Sequence, residues 1–373
     1  MVGTNSNSRH STKLAERLSE RIQREGPITF NEWMRAALYD PKDGYYNRLD
    51  LRRWGREGDY RTSPEISELF AATFARYFSQ LYDELGRPVC WTILECGAGD
   101  GSFAKGILGT LQTAFPEIFA VTRYCIDEVS AEAASQISKV IGDLQANVEF
   151  TSLETVPPIN PGIVFSNELL DAFPVHRLTK EKGKLVELYV ALGGASEFTW
   201  TTGPLSLPGL SDFLVRNDID VREGQIIEVS LALEQWLVKV TAKLRHGYLI
   251  SVDYGEEASS LYEYPNRQNG TLRAYSRHQF VDVLEQPGEH DITSTVNWTQ
   301  VRTAGEALGL KTIRFERLDK FLIDSGILQE LEQRLNSAGS DARRLELTTR
   351  AREMILPGNM ASSFQVLIQK ANS

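Results

Sequence analysis

The chain has 373 residues, of which 42% are hydrophobic and 24% charged, a composition typical of a globular protein with a sizeable core. Its formal net charge of -10 argues against a broad basic surface for nucleic acid. The three cysteines are too few for a disulfide framework, and no Cys-x-x-Cys or His-Glu-x-x-His pattern supports a metal site. No apolar run approaches the roughly 20 residues that a membrane span needs.

The amino-terminal part carries helical patterns. Apolar spacing predicts helices over residues 12–25 and 30–38. Ser63, followed by a proline, predicts the start of a longer helix that runs to about Glu84, because serine caps helices and proline suits the first helical position. We therefore expect an N-terminal helical extension over residues 1–88.

From residue 89 onward, short apolar runs alternate with helical patterns, which predicts βαβ units and a parallel sheet. The expected fold class is α/β, with a doubly wound, mostly parallel Rossmann-like sheet, the N-terminal helical extension and an inserted region. The predicted strands are 89–95, 121–126, 148–151 and 162–166, with helices from the glycine cluster to about 115 and over 131–141.

The second half is less regular. Its predicted elements are a hairpin of 175–178 and 184–191, a helix at 231–245, a strand at 247–252, helices at 299–309 and 326–350, and a closing strand at 364–368. We divide the chain into the extension, a first half of the core at 89–192, an insertion at 193–224, and a second half of the core at 225–373 with accessory loops and helices.

A glycine-rich turn follows the first core strand. Glycine allows backbone to turn sharply and to approach a ligand, and ligands of open α/β sheets bind beyond the carboxyl ends of the strands. Glu95 and Asp100 would repel a pyrophosphate but attract a sulfonium and an α-ammonium group. This favours S-adenosylmethionine, with S-adenosylhomocysteine as product, over a nicotinamide dinucleotide. The predicted cofactor-binding residues of this turn are Glu95, Gly97, Ala98, Gly99 and Gly101.

The ends of the next two strands complete the predicted cofactor site. Asp127 and Glu128 follow the second strand, where an acid can accept hydrogen bonds from ribose hydroxyls, and we favour Glu128 for this role. Both acids also suit the start of the following helix. Ser152 and Leu153, after the third strand, are expected at the adenine edge.

The fourth strand ends in Asn167, Glu168 and Asp171, which would face the transferable methyl group and are the predicted catalytic residues. Methyl transfer is a direct displacement, so positioning dominates over acid–base work. If the acceptor is a guanidinium, Glu168 and Asp171 can grip its planar fork and orient one nitrogen toward the methyl group. The alternative is that Asn167 and Asp171 cap a helix.

These segments resemble the MidA-like methyltransferases, a family that includes the mitochondrial enzyme that methylates an arginine of a respiratory complex I subunit. The resemblance extends from about Ile28 to Ile368. Taken together, its segments are specific, although any one alone would not be. They are 28–30, 38–41, 44–46, 58–67, 95–101, 166–177, 252–255, 270–273, 287–288, 291–293 and 356–358.

The resemblance implies a class I methyltransferase that acts on an arginine of a protein. It implies that Thr62, Ser63 and Glu65 lie near the cofactor or the acceptor. Tyr254, His278 and Asp291 are candidate acceptor-pocket residues, although a histidine is more often a surface or structurally bonded residue. Thr295 and Asn297 stand where the family tends to have a histidine and an aspartate.

Other functions stay open on the sequence alone. A small-molecule O- or N-methyltransferase would share the same site, and an assembly protein could keep the cofactor fold without turnover. A nicotinamide oxidoreductase is the last alternative. We expect a cytoplasmic protein whose first residues form a short disordered tail, with the mitochondrial matrix as the alternative if that tail is a transit-peptide remnant.

Overall fold

The structure is a computed structural model that describes residues 12–48, 51, 68–194, 197–276, 279–356, 358 and 360–372. In its first part, Thr12 accepts a hydrogen bond from the Ala15 amide at the start of the first helix, and Thr29 forms a capping box with Glu32 at the start of the second. The elements are α1 (Lys13–Glu25), β1 (Ile28–Thr29), α2 (Phe30–Tyr39) and α3 (Glu68–Glu84).

The predicted alternation of strands and helices is present in the next part of the chain. The predicted strand bounds are correct to within two residues, and a short helix that the sequence did not predict begins at Pro116. The elements are β2 (Trp91–Cys96), α4 (Ser102–Ala114), α5 (Pro116–Val121), β3 (Thr122–Asp127), α6 (Ala131–Ile141), β4 (Val148–Thr151) and β5 (Gly162–Asn167).

The predicted hairpin is confirmed and belongs to a second, smaller sheet. Its strand order is β1-β7-β6-β9, and β8 pairs with β7. The strands of this sheet come from all four of the segments into which the sequence was divided, and that division stays a prediction. The elements here are β6 (His176–Glu181), β7 (Lys184–Leu192), β8 (Phe198–Gly203), α7 (Pro208–Arg216) and β9 (Ile226–Val229).

The last part adds strands and helices to the core. The prediction of one helix over 326–350 is wrong, because Ser340 accepts a hydrogen bond from the Arg343 amide and begins a separate helix there. The elements are α8 (Leu231–Lys243), β10 (Gly247–Glu256), α9 (Ala258–Leu261), β11 (Arg273–Ser276), β12 (Gln279–Phe280), β13 (Asp291–Thr293), β14 (Val296–Asn297), α10 (Trp298–Ala307), β15 (Leu310–Arg317), α11 (Leu318–Asp324), α12 (Ile327–Ser337), α13 (Asp341–Ile355) and β16 (Phe364–Ala371).

The central sheet confirms the predicted fold class. Its strand order is β15-β16-β10-β5-β2-β3-β4, with β14 attached to β10. The five strands from β10 to β4 are parallel, whereas β16 is antiparallel to both of its neighbours. The chain runs outward from β2 in one direction and from β5 in the other, so the topological switch point lies between these two strands.

Helices cover both faces of this sheet. One face packs against α3, α4 and the carboxyl-terminal helices, and it includes the stacked rings of Phe103 and Phe165, whose centroids are 4.3 Å apart. The other face packs against α8 and α10. Because both faces are buried, the central strands consist almost entirely of buried residues. Among the described residues, no helix is long and apolar enough to cross a membrane.

Candidate functional site

The strand register places the predicted site residues at one edge of the sheet. Cys96, the last residue of β2, pairs with Asp127 of β3 on one side and with Ser166 of β5 on the other. The glycine-rich turn, the acids after β3 and the residues after β5 therefore begin at the same level, around the switch point. This is the crevice in which open α/β sheets bind ligands.

The glycine turn has the backbone that the sequence predicts. Gly97, Gly99 and Gly101 have φ angles of 76°, 55° and 86°, a region that favours glycine. A Cβ atom at Gly97 would lie 3.1 Å from the side chain of Leu169, and one at Gly101 would lie 2.7 Å from that of Ile137. The turn thus packs tightly against the side chains of Leu169 and Ile137, while Gly97 and Gly99 are exposed.

Glu95 is buried directly below this turn. The Tyr124 hydroxyl donates a hydrogen bond of 2.7 Å to its Oε2 atom. The pKa of Glu95 is raised to about 7, mainly by burial; the bond from Tyr124 opposes this shift, and the charge of Asp100 contributes to it. A cation bound at the turn would therefore favour the ionised form of Glu95.

The acids at the end of β3, Asp127 and Glu128, accept hydrogen bonds from backbone amides. Asp127 Oδ1 accepts a hydrogen bond of 3.0 Å from the Leu153 amide, which ties β3 to the loop after β4. Burial raises the pKa of Asp127, and the charge of Glu128 adds to this effect. Glu128 Oε1 accepts a 2.7 Å bond from the Ser130 amide at the start of α6. Leu153 is buried, and the Ser152 hydroxyl lies 2.8 Å from that of Thr155.

The turn after β5 is unusual at Glu168, which has a φ of 51°, a strained conformation for a residue with a side chain. Asn167 Nδ2 donates a 3.0 Å hydrogen bond to Glu168 Oε1, whereas Asn167 Oδ1 is buried and has no hydrogen-bond partner in the described part of the chain. Such strain persists only where the surroundings hold it, and it is frequent at functional sites.

Asp253, in β10, supplies that support. Its Oδ2 atom accepts hydrogen bonds from the amides of residues 169, 170 and 171, at 3.2, 2.9 and 3.3 Å. Burial raises the pKa of Asp253 well above its ordinary value, and the nearby charges of Asp171 and Glu168 add to this effect. One buried side chain therefore fixes the backbone of the turn that carries Glu168.

Asp171 and Tyr254 form a hydrogen-bonded pair beside this turn. The Tyr254 hydroxyl donates a 2.6 Å bond to Asp171 Oδ2. Burial raises the pKa of Asp171 to about 6, although the bond from Tyr254 lowers it. The carboxylate of Asp171 is therefore mostly ionised at neutral pH and gains a proton in mildly acidic solution.

A cavity of about 440 Å³ opens next to these residues. Four carboxylates line it, from Glu168, Asp171, Glu256 and Asp291, and Tyr46 donates a 2.7 Å hydrogen bond to Asp291. The remaining lining residues are Tyr254, Gly255, Arg273, Tyr275, Thr293, Thr295, Ser363 and Phe364. The predicted pocket residues Tyr254 and Asp291 therefore lie with the predicted catalytic carboxylates.

Four of the predicted residues are not part of the described structure. Thr62, Ser63, Glu65 and His278 lie outside the described residues. Within the described ranges, no group of three or more histidine, cysteine, aspartate or glutamate side chains could hold a metal ion.

The fold and the glycine-turn crevice define a class I methyltransferase architecture. A family profile described as "Putative S-adenosyl-L-methionine-dependent methyltransferase" matches residues 73–316, and the chain belongs to that family. The predicted cofactor and enzyme class are thereby confirmed.

Individual relatives agree with this assignment. The mitochondrial protein arginine methyltransferase NDUFAF7 of Rattus norvegicus is 24% identical over 384 residues, which cover 96% of this chain and 84% of the relative. The Drosophila melanogaster homologue is 26% identical over 331 residues, 79% of this chain and 70% of the relative. A Burkholderia thailandensis crystal structure with bound S-adenosyl-homocysteine has a TM-score of 0.86 and 29% identity, covering 96% of this chain and 91% of that one. The predicted MidA-like resemblance is confirmed.

Proposed function

We propose that this methyltransferase transfers the methyl group to a guanidinium nitrogen of an arginine in a protein acceptor. The observation that carries the proposal is the cavity at the end of β5, in which Glu168 and Asp171 present two carboxylates. Carboxylates recognise the planar fork of a guanidinium by paired, charge-assisted hydrogen bonds. The names of the curated relatives, which are protein arginine methyltransferases, support the same acceptor chemistry.

The cofactor fits the residues at the glycine turn. Gly97 and Gly99 leave the crevice side free of side chains, and Glu95 can offset the charge of a sulfonium and an ammonium group. We assign Ala98 and Gly101 to the same turn, Asp127 and Glu128 to the ribose, and Ser152 and Leu153 to the adenine edge. When bound, S-adenosylmethionine supplies an electrophilic methyl group.

The side chains of the cavity then have separate roles. Glu168 orients the guanidinium, and Asn167 holds Glu168 through the bond between Nδ2 and Oε1. The nitrogen must lose a proton as it gains the methyl group, and Asp171, with its pKa near 6, can accept that proton. Tyr254 keeps Asp171 in place through its hydroxyl.

The substitution Glu168→Gln tests this assignment. We expect kcat to fall by about a hundredfold or more, because misplacing an acceptor by about 1 Å has an effect of that size. The dissociation constant for S-adenosylhomocysteine should stay within about twofold. Activity is measured as radiolabelled methylarginine after acid hydrolysis of arginine-containing peptides, and Glu257→Gln, an exposed glutamate paired with Arg302, is the control.

Two results would contradict the proposal. One is label recovered only in small molecules and never in methylarginine, which would favour the small-molecule alternative. The other is a Glu168→Gln enzyme as active as the Glu257→Gln control.

We further propose that the protein acts in the mitochondrial matrix. The curated relatives are named as mitochondrial, so they give no support to the cytoplasmic expectation and favour the alternative. Co-sedimentation of the tagged protein with a matrix marker in cell fractions is the expected result, and recovery with a cytosolic marker would contradict it.

A further inference from the structure

The cavity contains a cation that guanidinium binding does not explain. Arg273 is the basic residue among the described residues that line it. An arginine here would repel an incoming guanidinium, so its presence calls for a second kind of ligand group.

Each of the four lining carboxylates has a named partner. Glu168 accepts from Asn167, Asp171 accepts from Tyr254, and Asp291 accepts from Tyr46. Glu256 forms an ion pair with Arg267. By contrast, Arg273 makes no ion pair or hydrogen bond with any residue that the structure describes, although its side chain is half-buried. Each carboxylate of the cavity is thus already engaged, whereas the guanidinium of Arg273 is available to an anionic ligand group.

The local strand geometry directs this arginine into the cavity. In the β11–β13 ladder, Arg273 is paired with Thr293 and Tyr275 with Asp291. All four line the cavity, because residues two apart on a strand share a face. The intervening pair, Ala274 and Ile292, is buried in the opposite direction.

A second donor lies directly across from Arg273. Thr293 is 4% exposed, and its hydroxyl lies close enough to that of Tyr254 to oppose the rise that burial causes in the pKa of the tyrosine, although it completes no hydrogen bond of ordinary geometry with a described residue. Directly opposed residues of an antiparallel pair have Cβ atoms about 4.5–5.5 Å apart. A guanidinium and an unsatisfied hydroxyl are thus placed side by side on one wall.

We propose that Arg273, with Thr293, is a carboxylate-binding subsite of the acceptor cavity. A carboxylate matches the guanidinium fork through two parallel hydrogen bonds and can accept a further bond from a hydroxyl. Two sources of this chemistry reach the cavity: an aspartate or glutamate next to the target arginine of the acceptor, and the methionine carboxylate of the cofactor. The acceptor source rests on the proposed arginine methylation, whereas the cofactor source does not.

The test compares the wild type with Arg273→Gln, which removes the charge but keeps much of the side-chain length. In the first experiment, both proteins are titrated with S-adenosylhomocysteine and with methylthioadenosine, which lacks the amino-acid part. If the subsite holds the cofactor carboxylate, the variant binds S-adenosylhomocysteine about tenfold more weakly or worse, while its affinity for methylthioadenosine is unchanged.

The second experiment uses two arginine peptides that differ only by aspartate or asparagine beside the arginine. If the subsite holds an acceptor carboxylate, the wild type shows a KM about tenfold lower for the aspartate peptide, and Arg273→Gln loses that preference with little change in kcat. Arg245→Gln, an exposed arginine with no ion pair to a described residue, is the control in both experiments.

The outcomes separate cleanly. A selective effect in either experiment supports the subsite and identifies its source. If Arg273→Gln matches the control in both, the inference is wrong. In a third outcome, the wild type methylates neither peptide while Arg273→Gln binds S-adenosylhomocysteine more weakly than the wild type does. In that case the subsite is supported and the proposed arginine acceptor is wrong.

Discussion

At the scale of single residues, Glu95 is deeply buried, yet its negative charge would offset the positive sulfonium and ammonium groups of the cofactor. In the free protein its pKa lies near 7, against an ordinary value of 4.5. The folded state therefore holds this proton more tightly than the unfolded chain. The protonated Glu95 therefore contributes fully to the free energy of unfolding below about pH 4.5, and this contribution decreases as the pH rises toward 7.

Cofactor binding should shift this equilibrium. The positive charges of S-adenosylmethionine favour ionised Glu95, so binding at pH 7 should release part of a proton. We expect calorimetric titrations in two buffers of different ionisation enthalpy to give different apparent heats for the wild type. Glu95→Gln should reduce this difference and weaken binding. A wild-type heat that does not depend on the buffer would exclude Glu95 as the titrating group.

At the scale of elements, the close contact between α3 and α4 depends on one glycine. A Cβ atom at Gly106 would lie 2.4 Å from the Cβ of Ala71. Gly109, one turn later in α4, has only an ordinary contact of 3.8 Å with Leu144. The two glycines share a helix but differ in what an added methyl group would meet.

This difference predicts opposite effects on stability. Gly106→Ala should lower the free energy of unfolding by about 1–3 kcal/mol, because the helices must move apart. Gly109→Ala should leave it unchanged or raise it by up to about 1 kcal/mol, since alanine favours helix over glycine. Denaturant unfolding measures both variants. Equal effects of the two substitutions would show that the α3–α4 distance is not set at Gly106.

At the scale of the whole molecule, the buried Glu228 joins the smaller sheet to the segment that leads to the cavity wall. Glu228 in β9 accepts a 3.0 Å bond from Arg177 in β6 and a 2.8 Å bond from the Thr271 amide, two residues before Arg273. The Arg177 guanidinium also lies 4.7 Å from the centre of the Trp200 ring. The position of the wall thus depends on the smaller sheet.

Breaking this joint should affect both stability and acceptor binding. Glu228→Gln leaves the buried charge of Arg177 without its counter-ion, and we expect a loss of about 3–5 kcal/mol in the free energy of unfolding. The KM for the acceptor should rise if the Arg273 subsite holds an acceptor carboxylate, and the affinity for S-adenosylhomocysteine should fall if it holds the cofactor carboxylate. Glu234→Gln removes the half-buried partner of the exposed Arg216 and should change stability by about 1 kcal/mol or less. Similar losses in the two variants would contradict this explanation.

The sequence predicted most of the core strands because their signals are local. Alternation of apolar strands and helices, the glycine turn, and acids at strand ends are all contained in short stretches of chain. The same limitation explains the failures. The break near Ser340 depends on one capping bond. The strand β15, in which only Leu310 is buried, is defined by its antiparallel pairing with β16.

The sequence by itself determined the class of fold, the cofactor and the carboxylates expected at the acceptor, since each depends on residue types at fixed spacing. Only the tertiary structure decided which side chains meet. The bond between Tyr254 and Asp171 joins residues 83 positions apart, and the one between Tyr46 and Asp291 joins residues 245 apart. Asp253 and Arg273 likewise have no local signature of their roles. The hydrogen bonds of Asp253 and the unpaired guanidinium of Arg273 among the described residues both follow from strand order and register, which arise from the packing of the entire chain.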